Sequence, residues 1–258
     1  MRSRVVAALG AGAIAASTAG AQVTITVQNM QGAGGFTLSP FWLGLHDGSF
    51  DVFDAGSMAS GGIVEIAELA DTSALTARFS SEQAMGVQTT LVQPDGIPPF
   101  TPGESASIVL DPGDASVNRF FNYAAMVVPS NDMFVGNDGA IELFDAAGNF
   151  NGPLVINIYG RDVWDAGSEV NDITDGAAFI MGSDATLGTD ENGFVTHILP
   201  GGASYLDSIV GLTTATGDTI DAAFGPDDLI ARITITPAPG GVSAMLLACG
   251  LGVVRRRR

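Results

Sequence analysis

The chain predicts an all-β fold, an antiparallel sandwich or barrel with one or two short helices, and three observations carry that expectation. Short apolar segments recur along the body. The first of them alternates strictly between apolar and polar residues. Glycine, proline, asparagine or aspartate punctuates nearly every gap. Many short strands separated by such turns belong to antiparallel two-sheet and barrel architectures.

Taken in order, Gln22 to Asn29 puts Val23, Ile25 and Val27 on one face and Thr24, Thr26 and Gln28 on the other. That period of two is the pattern of a half-buried strand. Phe41 to Leu45 predicts a second strand. Val87 to Val92, Ser105 to Leu110, Phe120 to Val128, Ile141 to Phe144, Leu154 to Tyr159, Phe194 to Leu199 and Ile230 to Thr236 predict the rest. One segment departs from the pattern. Gly62 to Ala70 sets Ile63, Ile66 and Ala70 on one face and Glu65 and Glu68 toward another, which predicts a short helix. Asp184 to Gly193 and Thr213 to Asp228 read as glycine- and aspartate-rich loops. No internal repeat, linker or second domain is visible, and a body of about two hundred residues suffices for one all-β domain with a substantial core.

The two ends read as sorting segments around that body. Residues 1–21 form an export signal: Arg2 and Arg4 make a positive start, Val5 to Ala16 is apolar, and Ala19-Gly20-Ala21 gives the small-x-small pattern that places cleavage before Gln22. Residues 22–236 form the domain. Residues 237–258 form a tail, in which Pro237-Ala238-Pro239-Gly240-Gly241 ends the preceding strand, Val242 to Val254 is apolar, and the chain closes on Arg255 to Arg258. Both apolar runs fall short of the ~20 residues a spanning helix needs. The arginine end stays on the cytoplasmic side by the positive-inside rule. This tripartite tail resembles the PEP-CTERM class of bacterial sorting tails, with Pro-Ala-Pro in place of the usual Pro-Glu-Pro. The resemblance implies an exported product cleaved on its way to the cell surface, touching the membrane only transiently through the tail.

Charge narrows the partners. The chain has a formal net charge of −18. It contains no lysine, and only Arg78, Arg119, Arg161 and Arg232 lie between the two sorting segments, where all the acids are. Such a field repels nucleic acid and anionic lipid head groups and attracts cations. The sole cysteine, Cys249, lies in the tail, so the body holds no disulfide even though export permits one. Its stability rests on its core, on bound metal, or on both.

Two acidic turns concentrate the chemistry: Pro-Ser-Asn-Asp-Met-Phe-Val-Gly at Pro129 to Gly136, and Trp-Asp-Ala-Gly-Ser-Glu at Trp164 to Glu169. Hard cations such as calcium take six to eight oxygens at about 2.3–2.6 Å, and loops supply these well because a turn can aim several at one point. A turn through Gly167 can bring Asp165 and Glu169 onto one centre. Asp132 sits between an apolar strand and the buried-type residues Met133, Phe134 and Val135, so its charge needs a partner. Arg161 is one candidate and a cation the other. Asp132, Asp165 and Glu169 are thus candidates to share one cation.

Other candidates are weaker. His46 beside Asp47 invites a general-base reading, but no nucleophile accompanies it. His197 reads as an exposed-face residue of a strand. Asp51 and Asp54 read as a solvated acidic turn. No G-x-S-x-G, H-E-x-x-H, phosphate-loop or dinucleotide fingerprint occurs. The segment Gly-Thr-Asp-Glu-Asn-Gly-Phe at Gly188 to Phe194 places its second glycine too early for an EF-hand.

The ordered pair of acidic turns resembles the spondin N-terminal domain family, whose hallmark is a Pro-Ser-x-Asp segment ending in Val-Gly, followed by Trp-Asp-Ala-Gly-Thr-Asp. The segment from Leu38 to Ser60 fits the bacterial branch of that family, and the likeness covers most of Gln22 to Thr236. It implies a C2-like antiparallel β-sandwich with a calcium ion held by loops. Asp132 falls on the aspartate of the first motif, Asp165 on the first aspartate of the second, and Glu169 on its last acid, one methylene longer than the family's aspartate. Met133 stands where a tryptophan is usual. The family's animal members act in extracellular matrix and adhesion. The expected function is a non-catalytic, calcium-binding module at the cell surface or in the extracellular space, with an extracellular polysaccharide or a surface protein as partner. The alternative is a secreted hydrolase using the acidic loops with His46 as base.

Overall fold

The computed structural model describes residues 22–94, 99–174 and 176–239. The expected export signal and the apolar and arginine parts of the tail lie outside the described residues. The chain runs β1 (Val23–Asn29), β2 (Thr37–Leu38), β3 (Phe41–His46), α1 (Gly61–Leu69), α2 (Ser73–Glu82), β4 (Val87–Leu91), β5 (Ser105–Leu110), β6 (Phe120–Val128), β7 (Met133–Gly136), β8 (Ile141–Glu142), β9 (Leu154–Tyr159), β10 (Val163–Asp165), β11 (Thr196–His197), α3 (Ala203–Ile209) and β12 (Leu229–Pro237).

Two antiparallel sheets form a sandwich. The smaller has the order β5-β1-β12-β9, and the larger runs β11-β10-β7-β6-β3-β4 with β2 and β8 also on β6. The alternation read from β1 is its burial pattern: Val23, Ile25 and Val27 are fully buried, with partly exposed residues between them. They meet Ile233 and Ile235 of β12, and across the sandwich Phe41, Leu43 and Leu45 of β3 with Phe121, Tyr123, Ala125 and Val127 of β6, in one apolar core. β12 runs through Pro237, which pairs with Val23 at the strand end, a position where proline is tolerated.

The larger sheet is covered on its outer face as well. α1 and α2 lay Ile63, Ile66, Leu75 and Phe79 against Trp42 of β3, Ala124 of β6, Phe134 of β7 and Trp164 of β10. This second core explains why β3 is buried at every position and β6 at all but its first. A strand packed on both faces loses the alternation that marks a half-buried one.

Several elements differ from expectation. α2 was not anticipated, because only Leu75 and Phe79 of its ten residues are buried and a single i,i+4 apolar pair is a weak helical signal. α3 likewise lay unread. The strand expected over Phe194 to Leu199 contracts to Thr196–His197: Val195 donates its N–H to Ser57 and Ile198 donates to Val163, so the segment changes partners within a few residues. The strand expected over Ile141 to Phe144 stops at Glu142; the N–H groups of Leu143 and Phe144 both donate to the Arg119 carbonyl, which breaks the one-to-one ladder.

The outer layer packs closely at Gly44. A Cβ there would stand 3.0 Å from Trp42 Cζ2 and 3.1 Å from Phe79 Cε2. Gly44→Ala therefore overpacks the helix–sheet interface and is expected to cost about 1–3 kcal/mol. Urea unfolding checks this as a lowered midpoint at unchanged slope; a wild-type midpoint would refute the packing argument.

Candidate metal centre

The two acidic turns meet because of strand register. β7 and β10 pair antiparallel with Val163 opposite Val135, Trp164 opposite Phe134 and Asp165 opposite Met133. Asp132, one residue before β7, thus falls beside Ala166, one residue after β10, and the Ala166 N–H donates to the Asp132 carbonyl at 3.1 Å. Both turns are braced locally. The Ser130 hydroxyl donates to the Val127 carbonyl at 2.7 Å and accepts from the Met133 N–H at 3.1 Å. Gly167 takes φ +64°, a conformation glycine adopts without penalty, and its N–H donates to Asp165 Oδ1 at 2.8 Å.

That turn aims backbone amides at Asp132. Its Oδ2 accepts from the N–H of Ser168 at 2.8 Å and of Glu169 at 3.1 Å, and from the Ser168 hydroxyl at 3.3 Å. The residue is 0 % exposed. Its other oxygen, Oδ1, is buried with no hydrogen-bond partner among the described residues. Burial, and next the charge of Asp165, push the Asp132 carboxyl up to about 7, against the downward pull of those amides. Asn171 donates to Asp165 Oδ2 at 2.6 Å, and its own side-chain carbonyl oxygen is buried without a partner among the described residues. Two orphaned oxygen acceptors thus sit on residues that both adjoin Asp165.

Glu169 enters mainly through its backbone. Its carboxylate accepts from Asn131 Nδ2 at 3.4 Å and lies against Gly188, where any Cβ would collide with it. Burial first, and then Glu68 and Asp190, push Glu169 up to about 7; Glu68 is raised as well, by burial first and then by Asp190. Asn131 joins these parts: it donates to Glu169, its side-chain oxygen accepts from the Tyr205 hydroxyl at 2.8 Å, and its N–H donates to the same Tyr205 oxygen at 2.8 Å. Among the described residues, the one group of three acidic side chains with oxygens all within 4.8 Å of one another is Asp51, Asp54 and Asp138. Asp132, Asp165 and Glu169 are gathered around Asn131 and Tyr205 without converging that closely.

Two alternatives are corrected. Arg161 is not the counter-ion of Asp132: it pairs with Asp227 at 2.5 Å and lies over the Tyr159 ring. His46 is not placed as a base. It is fully buried; Nδ1 accepts from the Gly48 N–H at 3.0 Å, so Nε2 donates to Asn122 Oδ1 at 2.5 Å. Burial lowers its pKa despite that bond, and both nitrogens serve the fold. His197 is exposed, as expected, and stacks on Trp164 with centroids 3.8 Å apart. Asn131, Ser168, Asn171 and Tyr205 were missed. Asn131 and Ser168 lie inside the two motifs and could have been found there. Asn171 follows the second motif closely, whereas Tyr205 comes from a distant helix with no local signal.

One cavity borders the site, and a second shares none of its described lining residues with it. One of about 370 Å³ is lined by Asp165, Asn171, His197, Ser204, Tyr205 and Ser208 among others. A more apolar one of about 400 Å³, between β2, the end of α1 and the loop at Phe179, has no charged side chain among its described lining residues.

The Spondin_N family profile matches residues 37–189, more than half of the 258-residue chain. The chain belongs to the spondin N-terminal domain family, whose members are in general extracellular and non-catalytic. No curated protein matches it.

The raised acids give the metal-free fold a definite pH response. Free Asp and Glu titrate near ~4, whereas Asp132 and Glu169 titrate at about 7 in the fold. An acid raised on folding contributes stability that is whole below its unfolded pKa and lost as pH rises through its folded one. In chelator, the melting temperature should therefore fall between about pH 4 and pH 8, and Asp132→Asn, which retains an acceptor for the two amides, should flatten that fall. A parallel decline in the variant would refute the assignment.

Proposed function

We propose that this domain is a non-catalytic, calcium-stabilised module of the exported surface, with an extracellular polysaccharide or surface protein as its partner. The carrying observation is the partnerless Asp132 Oδ1 at a fully buried carboxylate. An uncompensated buried charge is costly, and a cation removes that cost. The donor chemistry fits a hard ion: Asp132 and Asp165 offer carboxylate oxygens, and the orphaned Asn171 carbonyl offers a neutral one. Exposed carbonyls and water complete such shells in loops. Calcium bound there supplies charge neutralisation and loop rigidity. Glu169 holds Asp132 in place through its N–H, and its carboxylate is the third acid of the set expected from sequence.

The non-catalytic part of the reading is supported by the occupation of His46, which leaves the hydrolase alternative without its base. The acidic body supports a partner other than nucleic acid. The signal and tail patterns at the two ends support export, with the membrane touched only through the tail.

Calcium at about a hundred times its dissociation constant adds ~2.7 kcal/mol to a fold that alone binds it, or about 5–10 °C in melting temperature at this size. The expected outcome is that calcium, added to chelator-treated protein at pH 7.5, produces such a rise. Asp132→Asn and Asp165→Asn should abolish it, Asn171→Ala should weaken it, and Glu169→Gln should leave most of it. No rise in the unmodified protein would overturn the reading.

A further inference from the structure

The polar cavity beside the candidate centre has a composition that selects a ligand. Its inner wall is Tyr205, whose hydroxyl is committed in both directions to Asn131. One side carries Asp165 and Asn171. The other carries Ser204 and Ser208 of α3, both exposed. The Ser208 hydroxyl donates to the Tyr205 carbonyl at 2.6 Å, which leaves its oxygen able to accept. His197 lines the same cavity and lies nearly parallel to Trp164, at 21° between planes. Trp164 is itself fixed by its indole N–H donating to the Gly136 carbonyl at 3.1 Å. The exposed imidazole is thus a flat, rigidly backed platform at the edge of a hydroxyl- and carboxylate-lined hollow.

We propose that this cavity is a subsite for one neutral sugar ring, stacked by an apolar face on His197 and hydrogen-bonded at its edge to Asp165, Ser204 and Ser208. The inference rests on the proposed partner of this module, an extracellular polysaccharide or surface protein, and it names the ligand class. Three features support it. A pyranose is amphipathic in the same sense as the cavity, with a C–H face for the platform and hydroxyls that both donate and accept. The cavity volume of about 370 Å³ lies in the ~300–1,000 Å³ range of small-ligand sites. Asp165 is the one carboxylate among the described lining residues, and in a chain of net charge −18 it disfavours phosphate and acidic sugars. Asp165 is also a proposed calcium ligand, so a sugar hydroxyl at that wall lies beside the ion.

The chain has two histidines, which gives a built-in control. His46 is buried among Phe50, Phe79 and Phe120 and should not respond, whereas the ring protons of His197 report on the cavity. The experiment titrates the full domain in calcium with the methyl glycosides of glucose, galactose, mannose and N-acetylglucosamine, and separately with N-acetyl-arginine amide and inorganic phosphate. At least one glycoside should shift the His197 ring signals saturably while His46 stays still. His197→Ala should weaken that binding at least tenfold, read by Trp164 fluorescence or calorimetry, with the calcium-induced rise in melting temperature retained. Saturable shifts with the arginine amide or phosphate alone would overturn the proposal in favour of a basic or an anionic partner, and no glycoside response would overturn it outright. A calcium rise without glycoside binding sinks the sugar subsite and leaves the calcium reading standing. Glycoside binding that persists without any calcium rise keeps the subsite and sinks the metal.

Discussion

The rim of this sandwich depends on one buried carboxylate. Asp132 is held by two consecutive backbone amides, from Ser168 and Glu169, on one oxygen and by nothing in the described structure on the other. The amides fix the second acidic turn against the first, because a turn that shifted would leave a buried charge with no donor at all. Such a group costs several kcal/mol when uncompensated. The amides lower its pKa, but burial and Asp165 outweigh them. The site is therefore poised: neutral when protonated, strained when ionised alone, and relieved when ionised beside a cation.

That arrangement needs the large sheet to be exact in register and rigid. The first turn meets the second because Met133 pairs with Asp165, which sets Asp132 beside Ala166, and a one-residue slip would turn every side chain of β10 to the other face. The outer layer of α1 and α2 guards against the slip. It packs Phe134 of β7 and Trp164 of β10 into the same cluster as Trp42, with Phe53 edge-on to both rings at 5.0 and 5.1 Å. The central strands are thus locked from both sides, and the site inherits its geometry from two cores rather than one.

This double burial also decides what could be read from the chain. β1, β5, β6 and β9 were legible nearly to the residue, because an alternating or continuously apolar run bounded by turn formers has few other readings. β7 and β10 were harder: at Met133–Gly136 and Val163–Asp165 they are too short to show a period. Their pairing is what builds the site, so the motifs gave the participants and the register gave the contact. Asp132 and Asp165 were legible as residues that need a partner. The role of Glu169 as an amide donor was not, because nothing in a glutamate's identity says whether its side chain or its backbone faces inward. Tyr205 was invisible for a different reason: it reaches Asn131 across seventy-four positions, and no local pattern encodes such a pairing.

An ion bound there, as proposed, would be structural rather than catalytic. Catalysis at a metal needs an open position and a group placed to move a proton. Asp132 is sealed from solvent, and His46 is sequestered in an aromatic cluster under α2 with both nitrogens engaged. The exposed histidine, His197, is stacked on Trp164 and lines the polar hollow beside the site. An ion beneath Asp165 would stiffen the Gly167 turn and the wall of that hollow together. Metal and ligand, bound as proposed, would then be linked through the wall they share, in a body whose sequence offers no disulfide to stiffen that loop.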